Sequence, residues 1–299
     1  MPKFSIIIPT YNRKSLLKDR ALSSLLNQNL KNFEVIVIND GGEDIMEVIE
    51  EFRQRGLSLK YINNSSNNGP SFARNLGVAQ SSGEWICFLD DDDEYINNAT
   101  EILINIVQKT FKRVLFFPHY KVINGKKFLM PKSNGINVDE NKILEWVIKW
   151  YFISGTYVIK KEVFNKIKFD ENIKIGEDLE LGINLLRNLK DEIAFVEEPF
   201  YLHYFRKSDF TNVHRALEDY KKILEKHKKF LKEKEVLHEF YYRLGCFSYF
   251  NSNRLEALKY FLYSIKRPRL KIFFRIFLLF IPLKIGRIIE DFLLELKLK

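Results

Sequence analysis

The sequence predicts an α/β protein in which a sheet is flanked by helices, followed by a C-terminal all-α extension. Over the first hundred residues, short runs rich in β-branched and aromatic residues alternate with longer amphipathic runs. This alternation favours parallel strands joined by crossover helices. The last third shows helical periodicity only. With 299 residues and 46% hydrophobic content, the chain is long enough for one large core or two domains, and its composition is not that of a disordered protein.

Four strands and four helices are predicted in the N-terminal part. The strand-like runs are FSIIIP (4–9), FEVIVIND (33–40), LKYIN (59–63) and EWICFLD (84–90), and the helix-like runs are 14–27, 43–55, 71–81 and 99–112. Ligands of open parallel sheets bind beyond the carboxyl ends of the strands. The polar segments that follow three of the strands are therefore expected to share one edge, namely PTYNR (9–13), NDGG (39–42) and DDDD (90–93).

The run of four aspartates requires compensation, because adjacent carboxylates repel one another unless water, a helix N-terminus or a metal ion offsets their charge. One explanation is a solvated first turn of the helix predicted over 99–112. Asp40 favours another, since it ends a different strand at the same edge, next to glycines that allow close backbone approach. Mg²⁺ binds one or two carboxylates together with substrate phosphates. A cation with a nucleotide diphosphate would explain both acidic sites.

The middle of the chain adds two features. Residues 113–135 predict a pair of strands with Asn124-Gly125 as the turn. Residues 175–189 (IGEDLELGINLLRNL) predict a helix with an apolar stripe, and Glu177 and Asp178 suit its first turn.

Four segments in the same order resemble family 2 glycosyltransferases of the GT-A fold. They are SIIIPTYNR, FEVIVINDGG, NNGPSFARNLGVAQSSGEWICFLDDDDEY and IGEDLELGINLL, and the resemblance covers roughly residues 3–210. It implies a Rossmann-like, nucleotide-binding mixed sheet. It also implies inverting transfer of a hexosyl or N-acetylhexosaminyl group from a nucleotide-diphosphate sugar, with a UDP-sugar expected, to a hydroxyl acceptor. Mn²⁺ or Mg²⁺ is the implied cofactor.

The resemblance assigns a role to each candidate residue. The donor nucleotide is implied to contact eight residues, namely Pro9, Thr10, Tyr11, Asn12, Asp40, Arg74, Asp90 and Asp91. The metal ligands are implied to be Asp92, Asp90 and His203, and the catalytic base is implied to be Asp178, beside Glu177. Trp150 or Tyr151 is implied to stack on the acceptor sugar. Inverting transfer needs one carboxylate to take the acceptor proton while the metal stabilises the leaving diphosphate, so separate acids make chemical sense.

The C-terminal region differs from the rest in charge. Residues 215–299 contain 20 Lys and Arg against 10 Asp and Glu, or +10, which leaves about −1 for residues 1–214. We therefore expect a catalytic domain over 1–214 and a basic helical region over 215–299. Within the latter, 241–270 looks like a single helix-turn-helix unit of tetratricopeptide type, which must pack on a neighbour to bury its apolar face.

The last thirty residues predict two amphipathic helices joined near Pro282. One face is expected to carry Leu270, Phe273, Phe274, Phe277, Leu278 and Ile281, with Lys and Arg side chains, Arg275 among them, around it. The longest uncharged run, Ile276–Leu283, has eight residues, whereas a bilayer span needs ~20. The pattern favours a helix lying on an anionic membrane surface. The competing explanation is that both faces pack on the catalytic domain.

Other functional classes explain less of the sequence. A metal-dependent nucleotidyl or phosphoryl transferase would use DDDD but leave GEDLEL unexplained. A non-enzymatic binding module would rest on the basic C-terminus, which has no nucleic-acid motif, so no nucleic-acid partner is expected. Two distant cysteines and an N-terminus without a signal-peptide pattern predict a cytoplasmic protein. The basic amphipathic tail adds the expectation that it is peripheral on the inner face of the cell membrane. A lipid-linked or surface-polysaccharide saccharide is the expected acceptor.

Overall fold

The computed structural model describes residues 3–133, 138–149, 152–205, 212–265 and 270–279. The chain divides into two compact units, Met1–Asp209 and Phe210–Lys299. The first unit contains both β-sheets, and the described elements of the second are all helical.

The strands and helices of the first unit alternate as the sequence predicts. They are β1 (Phe4–Thr10), α1 (Lys14–Leu16), a π-helical stretch (Leu17–Leu22), α2 (Ser23–Leu26), β2 (Phe33–Asp40), α3 (Met46–Gln54), β3 (Leu59–Asn64), α4 (Pro70–Ala79), β4 (Trp85–Phe88), β5 (Glu94–Tyr95), α5 (Ala99–Val107), β6 (Val114–Phe116), β7 (His119–Ile123), β8 (Lys126–Met130), α6 (Glu140–Ile148), β9 (Tyr157–Lys160), α7 (Glu177–Asn188), β10 (Ile193–Phe195) and β11 (Tyr201–Tyr204). Short 3₁₀ helices, Ser154–Thr156 and Lys161–Asn165, flank β9.

The large sheet has seven strands in the order β10-β6-β9-β4-β1-β2-β3. The four strands from the first hundred residues pair in parallel, with Ile6 opposite Val35 and Cys87. Strand β9 runs antiparallel to both β4 and β6, so the sheet is mixed. Both the predicted parallel half and the mixed sheet are confirmed. Successive residues of β1 are buried on both faces because helices cover the sheet on each side.

A smaller sheet with the order β5-β11-β7-β8 lies beside the acidic run. Asn124 and Gly125 connect β7 to β8, and both have positive φ, 49° and 76°, as a tight hairpin turn requires. The predicted turn is therefore confirmed. The predicted extent of the strand pair was wrong, since the fully buried residues 114–116 join the large sheet and only 119–130 form the hairpin.

Two predicted helices are shorter in the structure. The helix expected over 43–55 begins at Met46, because side chains hold the preceding loop: Asn12 Oδ1 accepts from the Glu43 amide at 2.7 Å, and Asp44 Oδ1 accepts from the Met46 amide at 2.9 Å. The helix expected over 99–112 ends at Val107.

The second unit is described through four helices, α8 (Val213–Glu233), α9 (Leu237–Phe250), α10 (Arg254–Tyr263) and α11 (Leu270–Leu278). Helices α9 and α10 form the predicted pair, and a side chain at Gly245 would lie 2.6 Å from the ring of Phe261. Helix α8 supplies the neighbour that the pair needs, with the rings of Tyr220 and Phe247 4.8 Å apart.

Helix α11 buries only part of the apolar stripe that the sequence predicts, together with apolar residues from outside that stripe. Leu278 and Leu279 are buried in a cluster with residues of α9 and α10, whereas Phe273 and Phe277 are 53% and 59% exposed. Arg275, expected among the solvated cations, instead lies beside the Tyr242 hydroxyl at 3.4 Å and over the ring of Phe250. The predicted stripe is therefore divided, since Leu278 is buried together with Leu279, whereas Phe273 and Phe277 stay exposed. Residues 280–299, with the predicted second amphipathic helix, lie outside the described residues.

Candidate active site

The polar segments at the carboxyl ends of β1, β2 and β4 meet at one edge of the sheet. Thr10 donates from its hydroxyl to Asp91 at 2.7 Å, which joins the first segment to the acidic run. Asn12, with φ of 52°, accepts from the amide of Glu43 at 2.7 Å, which joins the first segment to the second. The predicted shared edge is confirmed. Tyr11 is 46% exposed there and presents its ring at this edge.

Asp40 holds the loop that follows β3. Its Oδ2 accepts from the amides of Asn68 at 2.9 Å and Gly69 at 2.6 Å, and its Oδ1 accepts from Asn64 Nδ2 at 2.9 Å. Gly41 permits this approach, because its φ is 76° and a Cβ there would lie 2.5 Å from the carbonyl carbon of Ser66. The buried carboxylate thus shapes the loop of residues 63–69 at the edge where the resemblance places the nucleotide.

Each of the four aspartates has its own partners. Asp90 pairs with Nη2 of Arg74 at 2.7 Å. Asp91 pairs with Nη1 of Arg13 at 3.1 Å, and the same nitrogen lies 3.2 Å from Asp92. The carboxylates therefore lie next to two arginines, one from α4 and one at the N-terminus of α1, rather than in the first turn of α5. The solvated helix-cap explanation is wrong for Asp90 and Asp91.

Asp93 fixes strand β11. Its carboxylate accepts from the Tyr201 hydroxyl at 2.8 Å and the Tyr204 amide at 2.8 Å, and it lies 3.0 Å from Nδ1 of His203. Burial of His203 opposes its charged form, but the hydrogen bond and charge of Asp93 outweigh it and raise the pKa of the imidazole. Arg20 adds a second tie, since it donates to the main-chain oxygen of Asp92 at 2.6 Å and stacks on the ring of Tyr204 at 4.0 Å.

The excess negative charge at this edge suits a divalent cation. Burial, followed by the charges of Asp93, Asp90 and Asp91, raises the pKa of Asp92 to about 7. Hence Arg13 compensates only part of the acidic charge. Within the described ranges, no three His, Cys, Asp or Glu side chains are grouped to hold a metal ion by themselves. Carboxylate oxygens are the donors that Mg²⁺ and Mn²⁺ use when phosphates complete the coordination shell.

The second acidic pair lies at the start of α7. Gly176 precedes the helix with φ of 87°, and Asp178 Oδ1 accepts from the amide of Leu179 at 2.7 Å. Asp178 keeps partial contact with solvent, yet desolvation first and the charge of Glu177 second raise the pKa of its carboxyl to about 7. Glu177 pairs with Nη1 of Arg74 at 2.9 Å, so one arginine contacts both acidic motifs.

The predicted acceptor residues Trp150 and Tyr151 lie outside the described residues. Nearby, Gly155 in the 3₁₀ helix packs on the ring of Tyr201, where a Cβ would lie 2.1 Å from Cε2. Trp146 is 4% exposed and belongs to the core rather than to a binding surface.

Four residues of this site have no role in the sequence prediction: Arg13, Arg20, Asp93 and Tyr201. Arg13 and Asp93 stand within the quoted segments PTYNR and DDDD, so proximity to the motifs was a usable signal. For Tyr201 the sequence carries no signal, because its contact with Asp93 depends on how a distant strand enters the small sheet.

The fold is that of the GT-A class of α/β proteins. The solved structure of S. aureus TarS residues 1–349 in complex with UDP is similar, with a TM-score of 0.63 and 25% sequence identity, covering 90% of this chain and 76% of that chain. Residues 5–168 match the model of glycosyl transferase family 2. Because this match spans more than half of the chain, the chain belongs to glycosyltransferase family 2.

Two curated relatives give further context. An uncharacterized glycosyltransferase of Rickettsia bellii is 36% identical over 203 residues, which are 65% of this chain and 28% of that protein. The Campylobacter jejuni GalNAc(5)-diNAcBac-PP-undecaprenol beta-1,3-glucosyltransferase is 29% identical over 264 residues, which are 84% of this chain and 81% of that protein. The chain therefore spans under a third of the first relative and most of the second.

Proposed function

We propose that this chain is an inverting glycosyltransferase that moves a hexosyl or N-acetylhexosaminyl group from a UDP-sugar to a hydroxyl of a lipid-linked or surface-polysaccharide saccharide. One observation carries the proposal: two acidic motifs from distant parts of the chain, 90–93 and 177–178, meet through Arg74 at one site. The UDP in the TarS structure supports the donor nucleotide. The undecaprenol-linked substrate in the name of the Campylobacter relative supports a lipid-linked acceptor.

We assign Asp178 as the general base that takes the proton of the acceptor hydroxyl. A general base works best with a pKa near the operating pH, and the surroundings of Asp178 raise its pKa to about 7. Asp178 Oδ1 accepts from the Leu179 amide at 2.7 Å, and that bond holds the carboxylate in place. As the acceptor oxygen bonds to the anomeric carbon, the bond from that carbon to the diphosphate oxygen breaks, the nucleoside diphosphate leaves, and the acceptor proton passes to Asp178. Attack on the face opposite the leaving diphosphate inverts the anomeric configuration in one displacement.

The acidic edge is assigned to the donor diphosphate. Asp92 and Asp90, with donor phosphates and water completing the shell, would hold Mg²⁺ or Mn²⁺, which when bound would neutralise charge on the leaving diphosphate. His203, the third ligand that the resemblance implies, lies against Asp93 at 3.0 Å and is not grouped with these two carboxylates in the described residues.

The nucleotide side is assigned to Pro9, Thr10, Tyr11, Asn12, Asp40, Asp90 and Asp91. Arg74, expected with them, is 5% exposed and pairs with Asp90 and Glu177, so we assign it to holding those acids rather than to contact with the nucleotide. Thr10, from this set, and Arg13, which is outside it, both donate to the carboxylate of Asp91 and orient it. Asp40 holds the adjacent loop in shape through three hydrogen bonds.

A panel of nucleotide-sugars tests this function. Thermal unfolding is measured with each nucleotide-sugar in the presence of Mg²⁺ or Mn²⁺, since a ligand at 100 times its Kd adds about 2.7 kcal/mol to stability. Slow, metal-dependent hydrolysis of one stabilising compound to the nucleoside diphosphate and free sugar is then expected. A nucleotidyl transferase would release a nucleoside monophosphate or pyrophosphate instead, and a binding module would hydrolyse nothing.

We further propose that the catalytic role belongs to residues 1–214 and that 215–299 attaches the enzyme to the inner face of the cell membrane. Phe273 and Phe277 lie one helical turn apart on α11, and both are more than half exposed. The region 215–299 carries a net charge of +10, which is attractive to anionic lipid headgroups. No helix of the described residues has the length and apolar composition needed to cross a membrane.

Deleting the tail is expected to abolish binding to anionic vesicles. In co-sedimentation at low salt, the full chain should pellet with anionic and not with neutral vesicles, whereas a chain ending at Pro268 should stay in the supernatant. Phe273→Ser/Phe277→Ser should weaken binding, because these rings supply apolar contact with the lipid. Phe111→Ser is the matched control, since Phe111 is fully exposed in the first unit. Equal binding by the full and truncated chains would contradict the proposal.

A further inference from the structure

Arg74 stands between the two acidic motifs rather than on the surface of its helix. It is 5% exposed, and its guanidinium donates through Nη2 to Asp90 at 2.7 Å and through Nη1 to Glu177 at 2.9 Å. The two carboxylates belong to different motifs, one at the end of β4 and one at the start of α7. A planar guanidinium holds two acceptors in a fixed relative geometry, which the point charge of lysine does not.

The rest of α4 docks the segment that leads into α7. Ser71 donates to the carbonyl of Ile173 at 3.1 Å. Asn75 bonds both the amide and the carbonyl of Phe169, at 3.1 and 3.0 Å. Residues 71, 74 and 75 share one face of the helix, as i, i+3 and i+4 spacing requires. Arg74 differs from the other two because it alone of the three contacts acids of the site.

We propose that Arg74 is a positioning residue that couples the two acidic motifs and so helps to set the separation between the donor edge and Asp178. Asp178 follows Glu177 directly, and its main-chain oxygen also accepts from the Tyr157 hydroxyl at 3.0 Å. Moving Glu177 therefore moves the first turn of α7 and the carboxylate of Asp178 with it. The catalytic consequence of this inference rests on the proposed function. The bridge itself, by which we mean the contacts of Arg74 with Asp90 and Glu177, is independent of that function.

The kinetic test compares Arg74→Lys with Ser71→Ala in the full chain. The substrate is the nucleotide-sugar whose metal-dependent hydrolysis the wild type catalyses. For Arg74→Lys, kcat should fall by about 10- to 100-fold, because displacements near 1 Å at a reacting centre cost up to about 100-fold. Its KM for the nucleotide-sugar, and its Kd for UDP with Mg²⁺ measured by calorimetry, should change by less than the kcat does. Ser71→Ala loses one bond to the same segment without touching an acid, and its kcat should stay near that of the wild type.

A stability measurement checks the bridge without any turnover. Arg74→Met should lower Tm by several degrees, because it leaves two carboxylates without their counter-charge, and the loss should be smaller in a Glu177→Gln background. Equal losses in both backgrounds overturn the bridge. An equal fall in kcat for Ser71→Ala, or a UDP affinity that falls as much as kcat in Arg74→Lys, overturns the positioning role. If the wild type hydrolyses no nucleotide-sugar, the proposed function fails, and the Tm comparison alone decides the coupling.

Discussion

Asp178→Asn is expected to reduce turnover by about 10²- to 10⁴-fold, the usual contribution of a general base. Asparagine keeps the shape of the side chain but cannot take a proton from the acceptor. Affinity for the nucleotide-sugar should stay close to that of the wild type, because the lost interaction acts in the transition state. Steady-state kinetics with UDP binding measured separately checks both statements. Glu177→Gln is the matched neighbour and should lose less turnover. If the order is reversed, Glu177 is the base.

The same carboxyl predicts how activity and stability depend on pH. Surrounding protein and Glu177 raise the pKa of Asp178 to about 7, so turnover should rise with pH through that value as the base ionises. In the folded protein this carboxyl binds a proton more tightly than in the unfolded chain. Between the ordinary Asp pKa of about 3.9 and about 7, stability should therefore fall as pH rises. Asp178→Asn removes this effect, so its Tm should exceed that of the wild type at pH 8. A flat pH profile for turnover would contradict the assignment.

Asp92→Asn is expected to weaken donor binding in the presence of metal by about 100-fold or more, since losing even an outer-shell partner of a metal ligand typically costs 10- to 100-fold. The substitution removes the charge that would offset the cation while keeping the side-chain volume. Because Asp92 lies among like charges that disfavour its ionisation, the variant should unfold at a Tm no lower than the wild type. Calorimetric titration of UDP with and without Mn²⁺ measures the effect.

Excess chelator is the control for the Asp92 prediction. With the metal removed, the wild type and Asp92→Asn should bind UDP with similar, weak affinity, because they then differ only in a carboxylate that repels the diphosphate. Full activity of Asp92→Asn with metal present would contradict the metal site. Full activity of the wild type in excess chelator would do so as well.

Local patterns were sufficient to predict much of the fold. The alternation of apolar and amphipathic runs predicted β1 to β4 and the helices between them, since periodicity records which faces are buried. The Asn124-Gly125 pair predicted a turn because few residues adopt positive φ at both positions. Strand ends placed three polar segments at one edge, because the carboxyl ends of parallel strands coincide. Family resemblance then supplied roles for residues at that edge, which remain proposals.

The partners of the charged side chains were decided by tertiary structure alone. The sequence determined by itself that four aspartates follow β4. It did not determine that Asp90 pairs with Arg74, that Asp91 pairs with Arg13, or that Asp93 accepts from Tyr201. An ion pair such as Arg74 with Glu177 joins residues far apart in the chain, and no local period encodes such a contact. Helix α11 shows the same limit, since both of its faces are apolar in sequence. Leu278 is buried and Phe277 is exposed because of how the helix packs on α9 and α10. Periodicity measures how apolar a face is, whereas the arrangement of neighbouring elements decides which face is covered.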